Sequence, residues 1–112
     1  MTYAKVELFD QDLQLAASYF KALSHPARLA ILKYLTESRV CISGDISNEL
    51  PLSRTTVNQH LKELKEIGLI QGTINGSKTN YCLNKAKIGE MKQVLNKFTD
   101  SVQLPEDFSC KS

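Results

Sequence analysis

The chain contains no apolar run near the ~20 residues that a bilayer-spanning helix requires, which excludes a transmembrane helix. Its first residues, MTYAKVELFDQDL, are acidic and amphipathic rather than a charged segment followed by an apolar one. No secretory signal is read there, and a cytoplasmic chain is expected. There are only three cysteines, Cys41, Cys82 and Cys110, and no two of them stand in C-x-x-C or C-x-C spacing. An odd count in a cytosolic setting argues against a structural disulfide framework. Paired carboxylates, a glycine-rich phosphate loop and a nucleophile–base spacing are all missing, so an enzyme is not expected. Internal repeats and low-complexity segments are absent as well.

What remains is a chain of 112 residues, 42% hydrophobic and 23% charged, sized for a single soluble globular domain with one small core. The net charge of +2 is weak evidence for a nucleic-acid partner, so the placement of charge matters more. From Asp100 onward the acidic residues Asp100, Glu106 and Asp107 face only Lys111, whereas the stretch 52–82 holds Arg54, Lys62, Lys65 and Lys78. One domain over 1–104 and a flexible tail over 105–112 are expected.

Helical periodicity marks residues 8–23, with Leu8, Leu13, Ala16, Ala17, Phe20 and Leu23 as the apolar side. Ser24-His25-Pro26 breaks and restarts the helix, because proline suits a first helical position and Ser24 or His25 can cap it. The next helix, from Pro26 to about Glu37, is expected to bury Leu29, Ile31, Leu32 and Leu35, with Arg28 and Lys33 pointing elsewhere. A short helix starts near Asp45, capped by Ser43 or Asp45, and Pro51 ends it.

Ser53 caps a further helix running to about Ile67, with Gly68 where a left-handed terminating residue belongs. Val57, Leu61 and Leu64 form its buried side, which leaves Thr55, Asn58, Gln59 and Lys62 on the opposite one. Alternation through Ile70, Gly72 and Ile74, an Asn75-Gly76 turn, and alternation through Thr79, Tyr81 and Leu83 describe a β-hairpin. From about Lys85, Ile88, Met91, Leu95 and Phe98 again keep helical spacing.

The fold class is therefore mainly α with a small β-hairpin wing (α+β), a winged helix-turn-helix of about five helices. That order of elements places a helix in the DNA major groove. Short polar side chains permit close approach, Asn and Gln can pair bidentately with adenine, and Thr can touch a thymine methyl. Thr55, Asn58 and Gln59 are assigned to base edges, and Ser53, Arg54 and Lys62 to phosphates. Lys78 at the wing can reach the minor groove or its phosphates, or can serve as an edge-strand lysine that deters aggregation. His25 fits a helix start and His60 flanks the buried side of the 53–67 helix, so neither reads as a metal ligand.

From about Phe20 to Asn84 the chain resembles the ArsR-type family of bacterial winged-helix repressors. The matching pieces are FKALSHPARLAILKYL, GDISNELPLSRTTVNQHLKELKEIGLI and GTINGSKTNYCLN. The resemblance implies a homodimer, joined through the first and last helices, that binds a palindromic operator in double-stranded DNA until an inducer releases it. The stripe Ile88, Met91, Leu95 and Phe98 suits that interface, although part of it can pack on the domain's own core.

Arsenite and soft metal ions are inducers in many members, through a C-x-C ahead of the helix-turn-helix. Here Ser43 stands where the second thiolate of Cys41-Ile42-Ser43 belongs, and a hydroxyl is a poor soft-metal ligand. The zinc site that other members carry on the last helix needs histidine, and residues 85–99 have none. Two readings of the cysteines stay open. Cys41 can join Cys82 or Cys110 as a soft-metal or redox sensor, or Cys41 and Cys82 are small apolar fillers and Cys110 an idle tail thiol. A winged-helix protein-interaction module without DNA binding is the alternative from another functional class.

Overall fold

The computed structural model describes residues 6–38, 41–43, 46–75 and 78–107. Among these residues there are four α-helices and one antiparallel three-stranded sheet: α1 (Gln11–Ala22), α2 (Pro26–Ser38), β1 (Ile42–Ser43), α3 (Arg54–Glu66), β2 (Ile70–Asn75), β3 (Lys78–Leu83) and α4 (Lys85–Ser101). Single 3₁₀ turns at Val6–Leu8 and Ser47–Glu49 complete the order. The count is four helices rather than about five, because the segment ahead of α3 closes only one 3₁₀ turn. Its capping position is Ile46, which makes no side-chain cap bond, and the proposed cap Asp45 lies outside the described residues.

The first helix begins later than periodicity implied. The Asp10 side chain accepts from the Asp12 N–H at 3.4 Å, so α1 starts after Asp10 rather than at Leu8. Its buried face is also rotated. Tyr19 is 0% exposed, while Leu13 and Phe20, expected inside, are 46% and 42% exposed. On α2 the same correction falls on Leu29, which is exposed while Ala27, Ile31, Leu32 and Leu35 are buried. A helix packed on two neighbours buries a stripe set by those neighbours, which spacing along one helix cannot reveal.

Val57, Leu61 and Leu64 of α3 are fully buried against Tyr19, Ile31, Leu69, Ile70 and Tyr81, forming the centre of the core. The end of α3 is a Schellman closure. Gly68 N–H donates to Lys65 O at 2.9 Å and Leu69 N–H to Leu64 O at 3.0 Å, with Gly68 at φ +93°. The chain therefore reverses directly into β2, which ties the hairpin to the end of α3.

The sheet order is β1-β3-β2. Register pairs Ile70 with Leu83, Gly72 with Tyr81 and Asn75 with Lys78. Asn75 is thus the last residue of β2 rather than a turn residue, and residues 76 and 77 between the strands lie outside those described. Gly72 has φ +125°, and a Cβ there would sit 2.1 Å from Asn80 O, so no other residue fits. Strand β1, in the stretch that leads to the short helix, pairs with β3 through Ile42–Tyr81 and Ser43–Asn80. A two-residue strand carries no periodicity, so only the pairing reveals it. Asn84 then caps α4, its side chain accepting from Lys87 N–H at 3.2 Å.

Candidate nucleic-acid interface

Helix α3 has two chemically distinct sides. Its Ser53 cap accepts from Thr56 N–H at 3.3 Å and donates to the Thr56 hydroxyl at 3.0 Å. This satisfies one N–H of the first turn and leaves the positive end of the helix dipole at the surface. Arg54, Thr55, Gln59 and Lys62 are exposed and Asn58 is half-buried. All the α3 residues assigned to DNA therefore lie at the surface of one helix, away from Val57, Leu61 and Leu64. Lys78 opens β3, opposite Asn75, and its side chain lies outside the described residues.

The buried side of α3 is gripped by a polar cluster that periodicity did not reveal. Arg28, expected to point elsewhere, turns inward from the first turn of α2. Its Nε–H donates to His60 Nδ1 at 3.1 Å, Nη1 donates to Ala22 O at 3.1 Å, and Nη2 pairs with Glu63. One guanidinium thus joins the end of α1, the start of α2 and the middle of α3. The planar fork of arginine suits three partners at fixed angles. His25 Nδ1 accepts from Ala27 N–H at 2.9 Å, capping α2, and its ring lies 4.4 Å from that of His60.

Burial, reinforced by the nearby His25 and Arg28, pushes the His60 imidazole below its usual 6.5, with Glu63 opposing. The neutral ring keeps Nδ1 free to accept from Arg28. In sequence, the only hint of this cluster is a basic residue two positions after a helix-starting proline, beside an otherwise apolar stripe.

The far side of the domain joins α1 to α4. The Tyr19 hydroxyl donates to Glu90, Lys87 Nζ lies 3.1 Å from the same carboxylate, and Lys97 Nζ bonds Asp12 at 2.7 Å. The hydrogen bond from Tyr19 and the Lys87 charge hold the Glu90 carboxyl below its ordinary value. Ile88, Met91 and Leu95 are half-buried and pack on the core. Phe98 is half-buried and meets Phe20 edge-on at 5.8 Å.

Cys41 and Cys82 are joined in a disulfide, with Cα atoms 4.4 Å apart. Neither is an apolar filler, because Cys41 is exposed and Cys82 half-buried. Of the two partners that the sequence left open for Cys41, Cys82 is the one it bonds. Extending the β1–β3 register by one residue sets 41 opposite 82. Cys110 lies outside the described residues. Among the described residues no three His, Cys, Asp or Glu side chains converge as metal ligands. The thiolate pair by which many ArsR-type members hold soft metals does not fit here, since position 43 is serine and Cys41 is bonded across the sheet.

A capped, polar-faced helix seated on a helix-turn-helix and followed by a β-hairpin defines a winged helix-turn-helix DNA-binding domain. Known proteins agree. A family described as a helix-turn-helix domain matches residues 23–73. The HTH-type transcriptional regulator YceK of Bacillus subtilis is 37% identical over 82 residues, covering 72% of this chain and 81% of YceK. The cadmium resistance transcriptional regulatory protein CadC of Lactococcus lactis is 30% identical over 100 residues, covering 88% of this chain and 83% of CadC. An ArsR-like transcriptional regulator from Rhodococcus sp. RHA1 superposes with TM-score 0.58 and 26% identity, over 77% of this chain and 80% of that one. The chain belongs to the ArsR-type family of helix-turn-helix transcriptional regulators. It is a DNA-binding regulator, not an enzyme.

Proposed function

We propose that the chain acts as a cytoplasmic homodimeric repressor that binds a palindromic operator and leaves it when an inducer binds. The carrying observation is the two-sided α3, with Thr55, Gln59 and Lys62 exposed over a core-locked Val57–Leu61–Leu64 stripe. In this reading Thr55, Asn58 and Gln59 meet base edges, and Ser53, Arg54 and Lys62 meet phosphates. Lys78 carries the wing toward the minor groove or its phosphates.

The second copy is supported by the apolar side chains that one chain leaves in water. Leu13 and Phe20 of α1, both close to Phe98, are exposed, as are Val102 and Leu104 beyond α4. Burying such a patch against its twin removes it from solvent at ~25 cal/mol per Å². Two-fold symmetry then sets the two α3 helices on half-sites about one helical turn, or a multiple of it, apart. CadC is named for cadmium resistance, and a soft-metal inducer is in keeping with that kinship; in this chain it would need ligands other than a C-x-C pair.

The test is binding to random duplex at low salt, followed by salt titration on a duplex selected from a randomised pool. Lys62→Ala is expected to lower the log–log salt slope by about 0.9, the share of one phosphate contact. An unchanged slope would take Lys62 off the DNA backbone. No binding even to random duplex would favour a protein-interaction module instead.

A further inference from the structure

The cysteine pair sits between the elements that this reading sends to DNA. The β1–β3 pairs Ile42–Tyr81 and Ser43–Asn80 set Cys41 opposite Cys82 through backbone pairing alone. Side chains alternate across a strand, so the buried Tyr81 and the half-buried Ile42 put their neighbours on the outer face. Both sulfurs therefore lie on the solvent side of the sheet, with Cys41 the more exposed. The bond closes a loop with a sequence separation of 41 residues. That loop contains all of α3 and β2 and most of β3.

We infer that Cys41 and Cys82 form a reversible thiol–disulfide site that takes a hydroperoxide as its oxidant and sets how tightly the chain holds DNA. The inference rests on the DNA-binding reading above. A disulfide in a reducing compartment is usually transient and redox-sensing rather than structural. This one is placed for that role, at the surface and away from the core cluster.

The chemistry balances with one peroxide per pair. The Cys41 thiolate attacks the peroxide, the O–O bond breaks, and a sulfenic acid forms as an alcohol (or water) leaves. The Cys82 thiol then attacks that sulfur, the S–S bond forms, and water carries away the oxygen. A dithiol reductant reverses the step through a mixed disulfide and is itself oxidised.

Once reduced, β1 keeps its two-residue pairing and the packing of Ile42 on the core but loses its covalent tie to β3, so the two segments are freer relative to each other. Ordering those segments on DNA then costs more, so the disulfide form is the tighter binder.

The experiment compares wild type, Cys41→Ser, Cys82→Ser and Cys110→Ser, each reduced with dithiothreitol or oxidised with stoichiometric hydrogen peroxide. Peptide mass after alkylation reads the link, and fluorescence anisotropy reads binding to a duplex selected from a randomised pool. Wild type and Cys110→Ser are expected to show a 41–82 link and binding at least about threefold tighter when oxidised. Cys41→Ser and Cys82→Ser should bind equally in both states. Absence of the link after peroxide, or equal or weaker binding by the linked form, overturns the inference. A protein that makes and loses the link but binds no duplex in either state overturns the DNA reading instead, and leaves the thiol site standing.

Discussion

Arg28 Nε–H donates to His60 Nδ1 across 3.1 Å, joining the start of α2 to the buried side of α3. The same guanidinium holds Glu63 one turn further along and the Ala22 carbonyl at the end of α1. The orientation of α3 is thus set by directional bonds as well as by the apolar stripe beneath it. Non-directional packing alone would allow small rotations of the helix about that stripe.

Replacing Arg28 tests this grip. Arg28→Ala strips the donor from His60 and leaves the half-exposed Glu63 without its partner, at an expected cost of about 2–3 kcal/mol. Arg28→Lys should recover only part of that, since one ammonium cannot meet three partners in a plane. Chemical denaturation of both variants checks the values, and equal stabilities for Lys and Arg at 28 would remove the case for a fork.

The pH dependence of stability follows from His60. Its folded-state pKa lies below the usual 6.5, first because of burial and then because His25 and Arg28 stand close. Between the depressed value and 6.5 the unfolded chain binds more protons than the folded one, so stability rises with pH through that window. Acidifying below about 6.5 should therefore lower the denaturation midpoint. His60→Asn, whose side-chain oxygen can accept from Arg28 without titrating, should flatten the slope. An equally steep slope in that variant would assign the effect to other groups.

Elements with local signals were legible without coordinates. Ser53, the Val57–Leu61–Leu64 spacing and Gly68 marked both ends and the buried side of α3, and all three signals are met in the structure. The hairpin and α4 were legible for the same reason. Long-range partners decided the rest. Tyr19 joins the core, its ring and hydroxyl meeting Lys87 and Glu90 of the distant α4, while Leu13, Phe20 and Leu29 are left exposed. Arg28 meets residues more than 30 positions away, and β1 exists only because β3 lies alongside it. The Cys41–Cys82 bond depends on that same pairing, which a count of cysteines cannot reveal.

Self-association can be probed at Leu13, which lies in a groove between α1 and α4 with Val94 and Phe98. For an isolated chain, Leu13→Glu at this exposed position should alter stability by no more than about 0.5 kcal/mol. For a homodimer joined through α1 and α4, it should weaken association by about tenfold or more, a loss of ~1.4 kcal/mol. Sedimentation velocity over a concentration series distinguishes the two, and unchanged association would move the interface away from this groove.

The exposed side of α3 as the reader of DNA sequence is tested most directly at Gln59. Affinity would be measured for wild type and Gln59→Ala against every single-base variant of a duplex selected from a randomised pool. The prediction is loss of preference at one base pair in each half-site, by about 1–3 kcal/mol of discrimination, with preferences elsewhere retained. Uniformly weaker binding to all variants, with every preference intact, would contradict the account.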